Sequence, residues 1–344
     1  MRRFLNAGLA MAALVPALAP TTAAAAPAPA AAAAYTRGPD IAAPDGRWDF
    51  ASWDEVRHRL LVAHGKDALV IDPAHPGDVR VIGNLAGAHQ VVAAPGGDRL
   101  LATSGNDNSL RLLDLASGTQ IASLAVADKP DALILSPDGH RAYVMGAKGG
   151  AISVVDLDAF KEVARIAVKP ALEVPVWIDS TTLAVNDEDA NEIELIDTAA
   201  SRHVGAIALT GCDAPTGLAY APAQHLALSA CANGQAALVD VAQRRVVRLI
   251  PIGEGPDTAL WDAARARFLV PCGQSGTLSV IALQPDGTVA VSSVATAPSA
   301  RTAALDPATG RIYLPAATFQ PAAAGQRPGM VPGSFRIIVL NPAG

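Results

Sequence analysis

From about residue 48 onward the chain alternates short apolar runs with polar turns, and the spacing of an amphipathic helix is absent. Seven segments share one layout: RLLVAHGKDALVIDP, RLLATSGNDNSLRLLDL, RAYVMGAKGGAISVVDL, TLAVNDEDANEIELIDT, LALSACANGQAALVDV, RFLVPCGQSGTLSVIAL and RIYLPAATF…SFRIIVLNP. In each, an apolar run reaches a Gly, Asn or Asp turn and returns as a second, alternating run. Runs of this length bounded by turn residues predict β-hairpins. The abundant alanine would favour helix on propensity alone, but the periodicity speaks against it.

The polar residue closing the second run recurs as Asp72, Asp114, Asp156, Asp197 and Asp240, then Ala282, then Asn341. The spacings are 42, 42, 41, 43, 42 and 59 residues. A period near 42 with about four strands per unit predicts propeller blades, whereas a solenoid of similar period would need helical stretches. The fold class expected is therefore all-β: a seven-bladed β-propeller of four-stranded antiparallel blades. It forms one domain over 35–344, with blades near 48–88, 89–130, 131–172, 173–215, 216–256, 257–300 and 301–344. The recurrent Asp has a structural reading, accepting from backbone N–H groups two residues on to set the turn into the fourth strand. Blade seven stops after its third strand, at FRIIVLNPAG, while Tyr35 to Ala42 is left without a blade. That segment is expected to supply the missing strand and close the ring, which removes exposed edges.

Hydrophobic residues make up 51% of the chain but aromatics only 4%, so the core must be built from Ala, Val, Leu and Ile in thin layers. The net charge of −6, without a basic cluster, argues against a nucleic-acid backbone as partner. Ahead of the repeats, Arg2 and Arg3 precede an apolar run from Phe4 to Ala19 and an Ala/Pro-rich stretch. This is the layout of a secretory signal peptide over 1–34, cut after Ala34, and it implies a periplasmic or secreted protein. The run is interrupted by Pro16, is followed by Pro20 and is short for a bilayer, so no transmembrane segment is expected in the mature chain.

The stretches GRWDFASWDEVRHRLLVAHG, GAHQVVAAPGGDRLLATSGNDNSLRLLDL and KPDALILSPDGHRAYVMGAKGGAISVVDL resemble bacterial YncE-like proteins of the YVTN-repeat family, as do NDEDANEIELIDT, GCDAPTGLAYAP and GEGPDTALWD. The likeness covers nearly the whole mature chain, departing in degenerate Tyr-Val-Thr-Asn motifs and in an insertion in blade seven. It implies an exported seven-bladed propeller and little chemistry, with nucleic-acid binding and cell-surface roles known for a few members. Fold does not fix function.

Aligning the blades on the turn after the first strand brings one position into register: Asp49, His89, Asp131, Glu173, Thr216, Asp257 and Arg301, at intervals of 40, 42, 42, 43, 41 and 44. All seven are polar among apolar neighbours, and the start of an innermost strand points toward the central channel. They are the candidate ligand-binding funnel. Crowded carboxylates raise one another's pKa or share a cation, and a metal here would take Asp49, Asp131, Glu173 and Asp257, oxygen ligands suited to Ca²⁺ or Mg²⁺. Against this stands a plain water-filled channel mouth in which Arg301 pairs with Asp257 or Asp49. Loops between strands two and three add Asn186 and Glu188 as second candidates, although Asn and Asp are the ordinary content of tight turns. The insertion from Thr318 to Ser334 falls on the same face, as a lid, a partner-contact loop or disorder.

Cys212 and Cys231 flank the first hairpin of blade five, and pairing them would close a loop of about 20 residues; Cys272 is left over. There is no CxxC, nucleophile elbow, phosphate loop or HExxH. Three functions remain open. One is an exported binding or scaffold propeller acting through its funnel face on an unknown protein or small molecule. The second is a lactonase-type hydrolase with a divalent cation in the channel, and the third is a single-strand nucleic-acid binder by family resemblance. A monomer without a resident cofactor is expected, with Ca²⁺ as the leading alternative.

Overall fold

Each hairpin of the repeat forms the middle pair of a four-stranded antiparallel blade, in a computed structural model that describes residues 34–321 and 328–343. Blade one consists of Ala51–Asp54, Arg59–His64, Asp67–Ile71 and Val79–Ile82. Blades two to six begin with innermost strands Ala88–Ala93, Pro130–Leu135, Leu172–Trp177, Pro215–Ala221 and Leu260–Asp262. Blade seven contributes Ala304–Leu305, Ile312–Ala316 and Arg336–Pro342. The innermost strands touch in succession around a circuit, with that of blade seven meeting that of blade one.

The ring closes as the sequence implies. Tyr35–Arg37 lies antiparallel on Arg336–Pro342, with Tyr35 opposite Pro342, and Ile41–Ala42 pairs with the same strand. Tyr35 is buried beneath the Arg267 guanidinium, 4.4 Å from its ring centre, so the closing strand is packed as well as hydrogen-bonded. The sequence expectation of a signal peptide falls on residues 1–34, nearly all of them outside the described residues. Among the described residues no helix is long and apolar enough to cross a membrane.

Burial explains the two kinds of apolar run. Second and third strands are covered on both faces, as in Arg141–Gly146 and Ala151–Asp156, and so read as nearly continuous apolar stretches. Outer strands alternate, as in Lys161–Ala167, because one face meets solvent. The core lies between blades: Tyr143, Met145, Ile152 and Val154 of blade three pack on Leu183, Val185 and Ile196 of blade four. Each such side chain contributes about 1.5–3 kcal/mol on burial. The few aromatics serve as joints. Trp53 of blade one stacks on Tyr313 of blade seven at 5.3 Å, and Trp177 of blade four meets Tyr143 edge-on at 5.4 Å.

The recurrent Asp sets the turn it closes, with one difference from the sequence reading. Asp114, Asp156, Asp197 and Asp240 accept from the backbone N–H three residues on, at Ser117, Ala159, Ala200 and Gln243, with distances of 2.7, 2.8, 2.9 and 2.8 Å. Only Asp72 bonds two residues on, to Ala74 at 2.9 Å. Those four connections are tight turns of four or five residues, whereas the one after Ile71 runs through seven, 72–78.

Candidate functional site

The residues at the shared register position owe their aim to a break in the ladder. The innermost strands of blades two to five each slip register at their start, between Ala88 and Val91, Pro130 and Leu133, Leu172 and Pro175, and Pro215 and Leu218. His89, Asp131, Glu173 and Thr216 sit inside these irregularities, which re-aim a side chain that regular pleating would direct elsewhere. Their carbonyls are held from neighbouring blades. Phe50 N–H donates to His89 O at 3.0 Å, Thr103 Oγ1 to Asp131 O at 2.7 Å, and Thr302 Oγ1 to Asp49 O at 2.8 Å. Blades approach closely here: a Cβ on Gly217 would stand 2.3 Å from the Thr258 carbonyl carbon.

All seven side chains are half-buried, as a channel lining requires. His89 stands between two acids, its Nδ1 2.7 Å from Asp49 Oδ2 and 3.1 Å from Asp131 Oδ1. Hydrogen bonds to Asp131 and Asp49 outweigh burial and push its pKa up to about 10, so the ring is an imidazolium at neutral pH. Its other edge lies against Gly105, where a Cβ would come within 2.6 Å of Nε2. Arg301 holds Asp257, Nε to Oδ2 at 2.7 Å, and reaches Asp49 Oδ1 from Nη2 at 3.5 Å. Burial nevertheless dominates at Asp257 and raises its pKa to about 6.

Glu173 differs from the other acids. Burial, then the charges of Asp131, Asp257, Glu188 and Asp49, raises its pKa to about 9, and no described cation is paired with it. Its carboxyl is therefore neutral at pH 7 and faces the remaining acids across the channel. Thr216 donates from Oγ1 to Pro256 O at 3.2 Å and so ties blades five and six. A metal would find a different donor set from the four acids proposed on sequence: the ligand atoms brought within 4.8 Å of one another are those of Asp49, His89 and Asp131. Asp257 is instead committed to Arg301.

The second candidates separate. Asn186 is not a loop residue but lies in the strand Thr182–Asp187, fully buried. Its amide donates to Thr216 O at 3.0 Å and Gly217 O at 3.1 Å, and its Oδ1 accepts from Ser229 Oγ at 3.0 Å. It fastens blade four to blade five and has nothing to offer a ligand; the sequence misplaced it because the hairpin turn begins later than the Asn/Asp cluster. Glu188 is half-buried, and burial, Asp189 and Asp131 raise its pKa. It belongs with the acids around Glu173.

The sequence did not point to a cavity of about 600 Å³ on this face, between Asp49, His89 and Arg301 on one side and Arg47, His64, Lys66 and Asn106 on the other. Trp48 forms part of its wall, buried and with its indole N–H unpartnered. Its place beside Asp49, in a chain with four tryptophans, was the available signal. The blade-seven insertion reaches the same wall: Phe319 lies 6.1 Å from the Trp48 ring and is bridged to Met330. Residues 322–327 of that insertion lie outside the described residues. Cys212 and Cys231 are joined by a disulfide with Cα atoms 5.3 Å apart, and Cys272 is free and buried.

Among solved structures, one chain of a mitotic checkpoint complex superposes with a TM-score of 0.71 at 16% identity, covering 94% of this chain and 99% of that one. A chain of the hydrazine synthase of Kuenenia stuttgartiensis gives 0.63 at 15% identity, covering 77% and 91%. These likenesses show the propeller fold alone. No family model matches the chain, and no curated protein does.

Proposed function

We propose that this chain is an exported binding propeller of the YncE-like kind, and that its funnel mouth accepts a positively charged group. The observation that carries the reading is Glu173. It is a half-buried carboxyl in the acidic ring, kept neutral by burial and then by the charges of Asp131, Asp257, Glu188 and Asp49, with no described cation paired to it. Bringing a cation to this point releases the proton and converts mutual repulsion into attraction. His89 and Arg301 pair with Asp49, Asp131 and Asp257, so Glu173 and Glu188 are the acids without a described ion-pair partner for a ligand to meet. The cavity beside Trp48 gives the rest of such a ligand an amphipathic wall.

Thermal melting of the full chain tests this with Ca²⁺, Mg²⁺ or spermidine as probe and EDTA as control. A rise of several degrees with one of them, abolished in Glu173→Gln, supports a cation-accepting funnel. No rise with any probe removes the reading. A lactonase-type activity is the second reading, favoured by the clustering of Asp49, His89 and Asp131. It requires the metal to displace the His89 proton, so Ca²⁺ binding that strengthens as pH rises from 7 toward about 10 would distinguish it.

A further inference from the structure

A second acidic cluster lies away from the channel, at the joint of blades three and four. Asp187 ends the second strand of blade four, and Glu192 begins the third directly opposite it. Glu194 follows two positions on, so pleating places all three carboxylates on one face. Their nearest oxygens lie within 4.8 Å of one another. Asp187 and Glu194 have no exposed surface.

Burial of this kind is costly unless charge is balanced and hydrogen bonds are made, and here both are incomplete. Asp187 Oδ1 accepts from Ala190 N–H at 2.8 Å, while its Oδ2 is buried without a partner. Neither oxygen of Glu194 receives a well-directed hydrogen bond. Two bases approach from the rim. His203, on the outer strand, brings Nε2 to 2.5 Å from Glu194 Oε2. Lys169, on the connector from blade three, pairs with Glu192 and stands 3.4 Å from Glu194 Oε1. Three carboxylates thus face one ammonium and one imidazole.

We propose that Asp187, Glu192 and Glu194 form a divalent-cation site within blade four, with His203 positioning Glu194 from the rim and Lys169 supplying positive charge while the site is empty. Three close carboxylates with few other oxygens in reach suit a small ion such as Mn²⁺ or Zn²⁺, whereas Ca²⁺ takes six to eight oxygen ligands. The buried, unpartnered Asp187 Oδ2 is then a ligand rather than an orphan. The Lys169 side chain, half exposed, swings into solvent when the ion enters.

Equilibrium dialysis of the full chain against ZnCl₂ or MnCl₂ alone tests the assignment. One ion is expected at this site, with affinity lowered roughly tenfold or more in Asp187→Asn and in Glu194→Gln. His203→Ala, at a partly exposed position, weakens binding by freeing Glu194 while leaving all three carboxylates in place, so it keeps the test open if a buried carboxylate variant fails to fold. Lys169→Met binds more tightly, because its ammonium no longer competes. Glu173→Gln binds as wild type, which separates this site from the funnel. Absence of binding by wild type at millimolar metal, or unchanged binding by both Glu194→Gln and His203→Ala, overturns the proposal. So does binding lost in Asp131→Asn but kept in Glu194→Gln, since the ion would then sit in the channel.

Discussion

Replacing Glu173 with Gln should change how stability responds to pH more than it changes stability itself. The carboxyl titrates near 4.5 in an unfolded chain and at about 9 in the folded one, because of burial and then the acids around it. Below 4.5 both states hold the proton and no penalty exists. Between 4.5 and 9 the folded state holds a proton the unfolded state has released, so stability falls as pH rises. The slope for one proton is about 1.4 kcal/mol per pH unit. From pH 5.5 to 7.5 this amounts to about 2.7 kcal/mol, or about half that once solvent screening of a partly exposed group is allowed for. In a chain of this length, roughly 1 kcal/mol moves Tm by about 1.5–2 °C, so the difference is about 2–5 °C. Gln is neutral throughout and lacks this slope. Calorimetric melting of both proteins from pH 5.5 to 7.5 should show wild-type Tm falling by that much relative to Glu173→Gln. His89, whose raised pKa gives stability present below 6.5 and lost toward about 10, contributes equally to both curves. Parallel curves would mean that Glu173 is ionised like any surface acid, and the argument for a cation-accepting funnel would fall with it.

Two further outcomes follow from the fold. Cys212→Ser, or reduction of the Cys212–Cys231 bond, should cost about 3 kcal/mol for a loop of this size and lower Tm by about 5 °C. Over the same reduction Cys272 should stay unreactive to a thiol reagent until unfolding, and a change in Tm within error would show that the bridge adds nothing. Tyr35→Ala removes a buried aromatic and its Arg267 contact from the closing strand, at a cost of about 3–5 kcal/mol. Hydrogen exchange should then quicken first in Arg336–Pro342, and uniform exchange across all blades would count against the closure acting as a latch.

Seven hairpins, their period and the unpaired segment at Tyr35–Ala42 were legible in the sequence because a pleated strand repeats every two residues and a blade every 42 or so. The same period picked out Asp49, His89, Asp131, Glu173, Thr216, Asp257 and Arg301, since a shared register in a ring means a shared direction. What it could not give was the state of each side chain. Whether His89 is an imidazolium or Glu173 a neutral acid depends on distances across the channel, between residues forty or more positions apart, and on burial that only the assembled ring creates. Asn186 and Glu188 stand in one polar run, yet one ends inside a joint between blades and the other on the channel. A residue's place in a turn is local, but which neighbour covers it is not. The cluster at Asp187, Glu192 and Glu194 was hidden for that reason: along the chain it reads as an ordinary polar turn, and only packing against the connector that carries Lys169 removes it from water.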